Sequence, residues 1–487
     1  MSTGPLTRDS LPDLRGRPRT AAVSTRARGL MALGAAGGLV VLFEVFERLS
    51  ATAPMSADSA NAVLQGRSMA DGNVLLQGWT LSGASFYATD LPFYALAVAL
   101  RGLSPAAAHD VGALIYTLLV VAACLLARGR ARGAEAAGRM LVTLALSALL
   151  ALAVLSDALA LYVGVVPVAL VCVVRLASRR VPTGPDLAVL VGAVLAIPAA
   201  LLLGWTMGQL GGFSTVPLQG SFAVIEDIPK NAGLTVQGAL LLFGADFFGQ
   251  PLAAPSTLAI LVHLAGVIFV VMTYRWTVLA WRRGKETDRV TQVLVLAMTV
   301  DVAAYLFSNQ AIDLMTSRYL IPFMAFGAVL AGRLGSAWLW QGRRGGVVGV
   351  VGLAYLGFLA ASLRVPPSAS AETDLARALE REHLTYGLAA YWQASTVTVA
   401  SGDRVRVRAV DMGSPVPGPY LWEARSAWYD RRVPGNDARF VVRDTADPRS
   451  VDRKAVEAAF GPPSEVRRYG RYEVLIWDRD LLARLGD

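Results

Sequence analysis

The side chains most suited to chemistry gather in one stretch. Residues 56–91 read SADSANAVLQGRSMADGNVLLQGWTLSGASFYATDL, too polar to cross a bilayer and placed directly after the first apolar run. They carry Asp58, Asp71 and Asp90 in a chain otherwise sparing with acids outside its tail, and Asp157 stands alone between two later apolar runs. A fixed carboxylate over a membrane cavity can act as general base on an acceptor hydroxyl while a lipid phosphate leaves. Cations nearby would stabilise the charge growing on that phosphate. Two candidates are Lys230, one of three lysines, in IEDIPKNAG, and Arg318 in SRYLIPF. Tyr87 and Asp90, near the end of the acidic stretch, are candidates to face substrate.

Each residue also has a plainer reading. Asp58 precedes SANAVLQGRSMADG, which reads as an interfacial helix ending at Gly72, so Asp58 is a candidate N-cap. Asp71 suits a helix end, Asp90 a turn or helix start, and Asp157 a cap on the following span. Arg318 suits a snorkelling interface residue, and Lys230 a solvated loop charge. Asp301, in TVDVAAYLF, is an acid within an apolar run, a functional candidate or a pairing partner for another helix. His109, His263 and His383 are isolated, so no histidine metal site is expected.

The elements that must position these groups follow from hydropathy. The 487 residues are 54% hydrophobic and only 17% charged, against roughly 25% charged in a soluble protein. About nine apolar runs read as membrane spans: 30–49, 110–128, 140–155, 158–175, 186–205, 255–281, 290–307, 319–334 and 347–363. Residues 236–249 are apolar but too short to cross and are expected to lie in the interface. Glu44 and Arg48, four apart at the end of the first span, can pair. Arginines crowd alternate loops, 128–139, 175–180, 282–289 and 333–344, which places these loops and the basic tail 1–29 inside. The opposite loops, 50–109 and 206–254, are then outer. The net charge of +9 follows this topology; no basic face interleaved with aromatics points to nucleic acid. Both cysteines, Cys124 and Cys172, lie in apolar runs, so no disulfide framework is expected outside the membrane.

From residue 365 the composition becomes that of a soluble domain. PPSASAETD reads as a linker ending in a helix start, with Thr373 or Asp374 as N-cap, and ARALEREHL as helix. Residues 395–400 and 404–410 alternate around Ser401–Gly402–Asp403 and read as a hairpin. ARFVVRD reads as a strand, DRKAVEAAFG as a helix, SEVRRYG and RYEVLIWD as strands. The expected fold class is a polytopic α-helical membrane domain over 30–364 with a C-terminal α/β domain over 365–487.

Three segments carry a family likeness: the acidic loop after the first span, Ser156–Asp157 between the third and fourth spans, and DLMTSRYLIPF at a late span. The soluble stretch LTYGLAAYWQASTVTVASGDRVRV adds to it. In these the chain resembles the GT-C superfamily of polytopic glycosyltransferases, especially bacterial relatives of protein O-mannosyltransferases. It departs from them where Ser59 follows Asp58 in place of a second acid, and where a Pro-Pro-Leu stretch becomes Asp90–Leu91–Pro92. The resemblance implies an inverting transfer from a polyprenyl-phosphate-linked sugar donor to a glycan, protein or lipid acceptor. It implies Asp58 as base, Asp157 as a helper, and Arg318 with Tyr319 near the donor phosphate; Lys230 joins them by location. A divalent cation is the one cofactor this reading leaves open. The implied setting is the plasma membrane, with the tail inside and the C-terminal domain outside. Two other readings stay open: a non-catalytic assembly or binding protein for a cell-envelope glycan, and a transporter of a lipid-linked precursor, although no internal two-fold similarity supports the latter.

Overall fold

The structure, a computed structural model, describes residues 25–128, 161–178, 183–216, 220–251, 255–284, 287–339, single positions between 346 and 361, and residues 363–368, 370–413 and 416–486. The predicted third span, most of the ninth, the start of the fourth, the arginine loop beyond Arg128 and Asp157 lie outside the described residues.

Helix α1 (Thr25–Ser50) contains the predicted first span. Arg48, which the sequence paired with Glu44, donates through Nε to the carbonyl of Leu363 at 2.9 Å. The polar stretch then forms α2 (Ala57–Ala70), strand β1 (Trp79–Leu81) and α3 (Leu91–Arg101). α2 crosses α3 so closely that a Cβ on Gly66 would stand 2.7 Å from the Tyr94 backbone. Glycine is therefore required for that crossing. The polar stretch thus packs on a core that includes its Ala60, Val63, Leu64, Leu76, Trp79, Leu81 and Leu91 and is shared with Ala107, Val111 and Val399.

The bundle continues with α4 (Pro105–Arg128), α5 (Val166–Ser178, entered through one π-turn), α6 (Thr183–Gln209), strand β2 (Ser214–Thr215), α7 (Ile228–Leu242), α8 (Pro255–Arg282) and α9 (Arg289–Leu306). A 3-10 segment (Leu314–Leu320) leads into α10 (Ile321–Leu339). Among the described residues, five helical stretches are long and apolar enough to cross a membrane: Pro105–Ala123, Gly184–Gln209, Ala259–Arg282, Arg289–Leu306 and Leu314–Leu334. They match the second, fifth, sixth, seventh and eighth predicted spans, as a polytopic helical membrane protein requires. The segment 236–249 does not form one element: its first part completes α7, and a turn through Gly244 (φ 69°) follows.

The C-terminal domain opens with α11 (Ala371–Arg381), β3 (Tyr386–Ala389), α12 (Tyr391–Ala400) and β4 (Arg406–Asp411). Short strands β5 (Gly418–Pro419) and β6 (Ala424–Arg425) precede β7 (Phe440–Asp444), α13 (Arg453–Phe460), β8 (Glu465–Tyr469) and β9 (Tyr472–Ile476). The sheet runs β5-β4-β3-β7-β9-β8, with β3 parallel to both β4 and β7. Two expectations are corrected here. Residues 395–400 are not a strand: they complete α12, and β4 pairs with β3. The Gly402–Asp403 turn is present, both residues at positive φ, but it joins a helix to a strand. The cap of α11 is Ser370, whose hydroxyl accepts from the Thr373 amide at 3.3 Å, in place of Thr373 or Asp374.

The two domains share structure. β1 pairs in parallel with β2 and antiparallel with β6, making one small sheet from both polar loops and the C-terminal domain. Trp79 meets Trp428 edge to face at 4.9 Å, and the Ser426 amide donates to the Gly78 carbonyl at 2.9 Å. α12 lies directly on α2.

Candidate functional site

Asp58 sits in the first turn of α2. The cap is Ser56, whose hydroxyl accepts from the Ser59 amide at 3.1 Å, so the expected capping role of Asp58 is corrected and its carboxylate is left for other partners. A carboxylate at a helix N-terminus is favourably placed in the field of the unpaired amides. One partner comes from 260 residues away: Arg318 Nη1 stands 3.4 Å from Asp58 Oδ2. Arg318 is presented by the 3-10 segment, which is held by a capping box between Asp313 and Thr316, with the Tyr305 hydroxyl 3.0 Å from Thr316 Oγ1. α7 backs this segment at Gly238, where a Cβ would lie 2.5 Å from Ser317 Cβ. Tyr319 follows, its ring centroid 5.7 Å from the Arg318 guanidinium carbon.

The second partner comes from the C-terminal domain. Tyr391, at the carboxyl end of β3 where α12 begins, donates its hydroxyl to Asp58 Oδ1 at 2.7 Å. The same oxygen lies 3.2 Å from Glu423 Oε2. Tyr391 is fixed edge-on by Trp392 and Tyr420, with ring centroids at 5.2 and 5.5 Å. Asn61, one helical turn beyond Asp58, is buried and accepts a hydrogen bond from the Ser395 hydroxyl. Its Nδ2 is buried with no hydrogen bond of full geometry, yet it faces Tyr391 and Glu423 closely enough to act on both. Glu423 adopts a left-handed backbone (φ 53°), which strains a non-glycine residue by about 1–3 kcal/mol and persists only where the surroundings enforce it.

Electrostatics separate the groups. Burial, then the Asp58 charge, push the Glu423 carboxyl up to about 7, against smaller opposing contributions from Ser82, Tyr391 and Asn61. Burial and both carboxylates also raise the Tyr391 phenol, which therefore remains protonated. The Asp58–Arg318 pair is loose and open, with side chains 46% and 59% exposed. Exposed pairs contribute about 0–1 kcal/mol, so stability does not explain the meeting. Arg318 has five donors, and most remain for an anionic ligand. Two carboxylates bridged by a phenol and faced by a guanidinium form a donor set that does not suit a divalent cation, which prefers several oxygens converging on one point.

The remaining predicted residues take other places. Asp71 caps the end of α2 and pairs with Arg67 at 2.7 Å. Asp90 opens α3, and its charge faces the Tyr94 phenol. Tyr87 donates to the Val74 carbonyl at 2.9 Å and packs on Phe213 at 4.9 Å, a brace for the polar loops. Lys230, in the first turn of α7, is exposed and lines a separate cleft of about 390 Å³ with Gly233, Leu234, Val236, Gln237 and Phe248. Asp301 is buried and accepts from the Phe323 amide at 2.9 Å, serving the start of α10. Asp58, Arg318 and Tyr319 are thus brought together; Asp90, Tyr87 and Lys230 are not.

Tyr391 and Glu423 are the residues that sequence reasoning missed. The one local signal is an acid alone among aromatics, in PYLWEARSAWY. No protein-family model, curated protein or solved structure matches the chain.

Proposed function

We propose that this protein is an inverting glycosyltransferase that moves a sugar from a polyprenyl-phosphate-linked donor to an acceptor hydroxyl, at the membrane face bearing α2 and the C-terminal domain. The observation that carries the reading is the meeting of Asp58 and Arg318 across 260 residues in a loose, open pair beside a protonated phenol.

In this reading Asp58 takes the proton of the acceptor hydroxyl as its oxygen bonds to the sugar's anomeric carbon. The anomeric carbon–phosphate oxygen bond breaks, and its electron pair leaves with the lipid phosphate. Arg318, steadied over Tyr319, meets the charge growing there. Single displacement from the face opposite the phosphate gives inversion. The Lys230 cleft, apolar with one cation, suits the lipid end of such a donor.

The test is transfer from a panel of polyprenyl-phosphate sugars by the purified full chain in nanodiscs, wild type beside Asp58→Asn. Turnover from one donor, lost in the variant, supports the assignment. Normal turnover by the variant removes Asp58 as base. A folded protein inert toward every donor favours the binding reading. The feature that would then matter is the crevice of about 490 Å³ beyond β7, lined by Asp444, Asp447, Arg449 and Arg471.

A further inference from the structure

We propose that Glu423, delivered by the C-terminal domain, is a positioning residue that holds a proton at this site and, through the single hydroxyl hydrogen of Tyr391, leaves Asp58 as the carboxylate free to accept one. The inference rests on the glycosyltransferase reading for what Asp58 does, but not for where the proton sits.

The argument begins with counting hydrogens. A phenol has one to donate. Tyr391 Oη lies 2.7 Å from Asp58 Oδ1 and 3.2 Å from Glu423 Oε2. Were both carboxyls charged, one would meet a phenol lone pair at this contact, and the two charges would repel across a single oxygen. The geometry is satisfied when one carboxyl is neutral and donates to Tyr391, which donates in turn to the other. Distance and surroundings select which. The shorter contact, in the range of a charge-assisted bond, is to Asp58. Asp58 also has the guanidinium of Arg318 on its second oxygen, a partner for a carboxylate and not for an acid.

The groups acting on Glu423 are Asp58 and Asn61 from α2, Ser82 beyond β1, and Tyr391 from α12; Tyr420 faces it from its own loop. None is a cation. Burial and the Asp58 charge outweigh the donors near it, so Glu423 is the neutral member of the pair, and its left-handed backbone sets it beside the bridge. Two acids with one proton between them, their environments pushing them apart, take unlike roles. The site is complete only when β6 and α12 are docked on β1 and α2, so the C-terminal domain supplies half of the proton arrangement.

The test uses the full chain in nanodiscs and two readouts. Infrared difference spectra across neutral pH, recorded in an Asp301→Asn background so that this other buried carboxyl adds no band, should show a protonated carboxyl band that vanishes on titration, is absent when Glu423→Gln is added, and with Asp58→Asn titrates at lower pH because the neighbouring charge is gone. In transfer assays, ionising Glu423 places a second negative charge beside the donor phosphate, so the donor KM should rise above neutrality in the wild type and not in Glu423→Gln. Glu423→Ala and Tyr391→Phe remove the bridge and should lower turnover by about 5- to 150-fold, the loss expected from an orphaned buried partner. The glutamine variant, which can still donate to Tyr391, should recover most of that loss. A missing neutral-range band, or a band unaffected by Glu423→Gln, overturns the proposal. So do superimposable KM–pH profiles for wild type and Glu423→Gln. A band assigned to Glu423 in a protein that transfers no sugar leaves the proton placement standing and sinks the transferase reading instead.

Discussion

Helix α9 joins two regions where charges meet, and they are built in opposite ways. At its start Arg289 Nη2 lies 2.5 Å from Asp186, whose other contacts are Arg175 Nε at 3.2 and 3.3 Å. Arg175 continues to Gln292, and Asp288 caps α9 while pairing with Arg333 at 2.9 Å. Beyond the other end, roughly 27 Å away for 18 helical residues, Asp58 and Arg318 meet at 3.4 Å. Asp186 is 1% exposed and its oxygens are shared between two guanidinium groups, whereas Asp58 is 46% exposed and Arg318 keeps donors unspent. In the first arrangement both carboxylate oxygens of Asp186 are already paired with cations. The second has little worth without a ligand. Ions around the buried Asp186 hold helices α5, α6, α9 and α10 together; the Asp58–Arg318 pair, set on a capped helix turn and a capped 3-10 segment, is open to solvent.

The comparison breaks most sharply at its acids. Asp58→Asn should lower turnover roughly 10²–10⁴-fold, the range for losing a general base, with little change in the unfolding midpoint because Ser56 still caps α2. Steady-state kinetics beside thermal unfolding would read both. Asp186→Ala should do the reverse. It strands two guanidinium groups, at a loss of about 3–5 kcal/mol for breaking a buried ion pair. Denaturation in detergent should detect that loss, while the remaining folded fraction keeps its specific activity. If Asp58→Asn unfolded the protein, or Asp186→Ala left stability untouched, the division between structural and functional ions would fail.

The sequence singled out Asp58 and Arg318 but said nothing of Asp186, and the rest of both regions was hidden for physical reasons. The helix of Asp58 and the late-span arginine stand out because each is a charged site at the edge of an apolar run. Assigning the cap to Asp58 failed by two residues, since Ser56 and Asp58 are both good capping types and only the backbone decides between them. α12 was misread for a deeper reason. Residues 393–399 (QASTVTV) are buried without interruption, wedged between the sheet and α2. A helix covered on every side shows no 3.6-residue period, and its β-branched residues then read as a strand. Tyr391 inherits that error. Glu423 belongs to no regular element, and its proximity to Asp58 exists only after two domains dock.

A pH experiment sharpens the contrast. The folded-state pKa of Glu423 is raised to about 7. Its contribution to docking is therefore fully present below the ordinary carboxylate range and is lost as pH rises through about 7. Hydrogen exchange of the amides in α12 should accelerate between about pH 6 and pH 8 beyond the intrinsic base-catalysed rise, and Glu423→Gln should remove the excess.

The smallest effect is expected one face away from the site, and it is the control that the comparison needs. Arg67 and Asp71 pair at 2.7 Å, four residues apart near the end of α2, with both side chains about half exposed. Such a pair contributes about 0.3–0.5 kcal/mol. Arg67→Ala should therefore move the unfolding midpoint barely, and donor KM and turnover not at all, although it alters a cation on the same helix as Asp58. Arg318→Ala should be similarly silent in stability but should raise the donor KM. Should Arg67→Ala weaken donor use as much as Arg318→Ala does, what matters would be the general positive potential of this face, and the particular meeting of Asp58 with Arg318 would lose its claim to be the site.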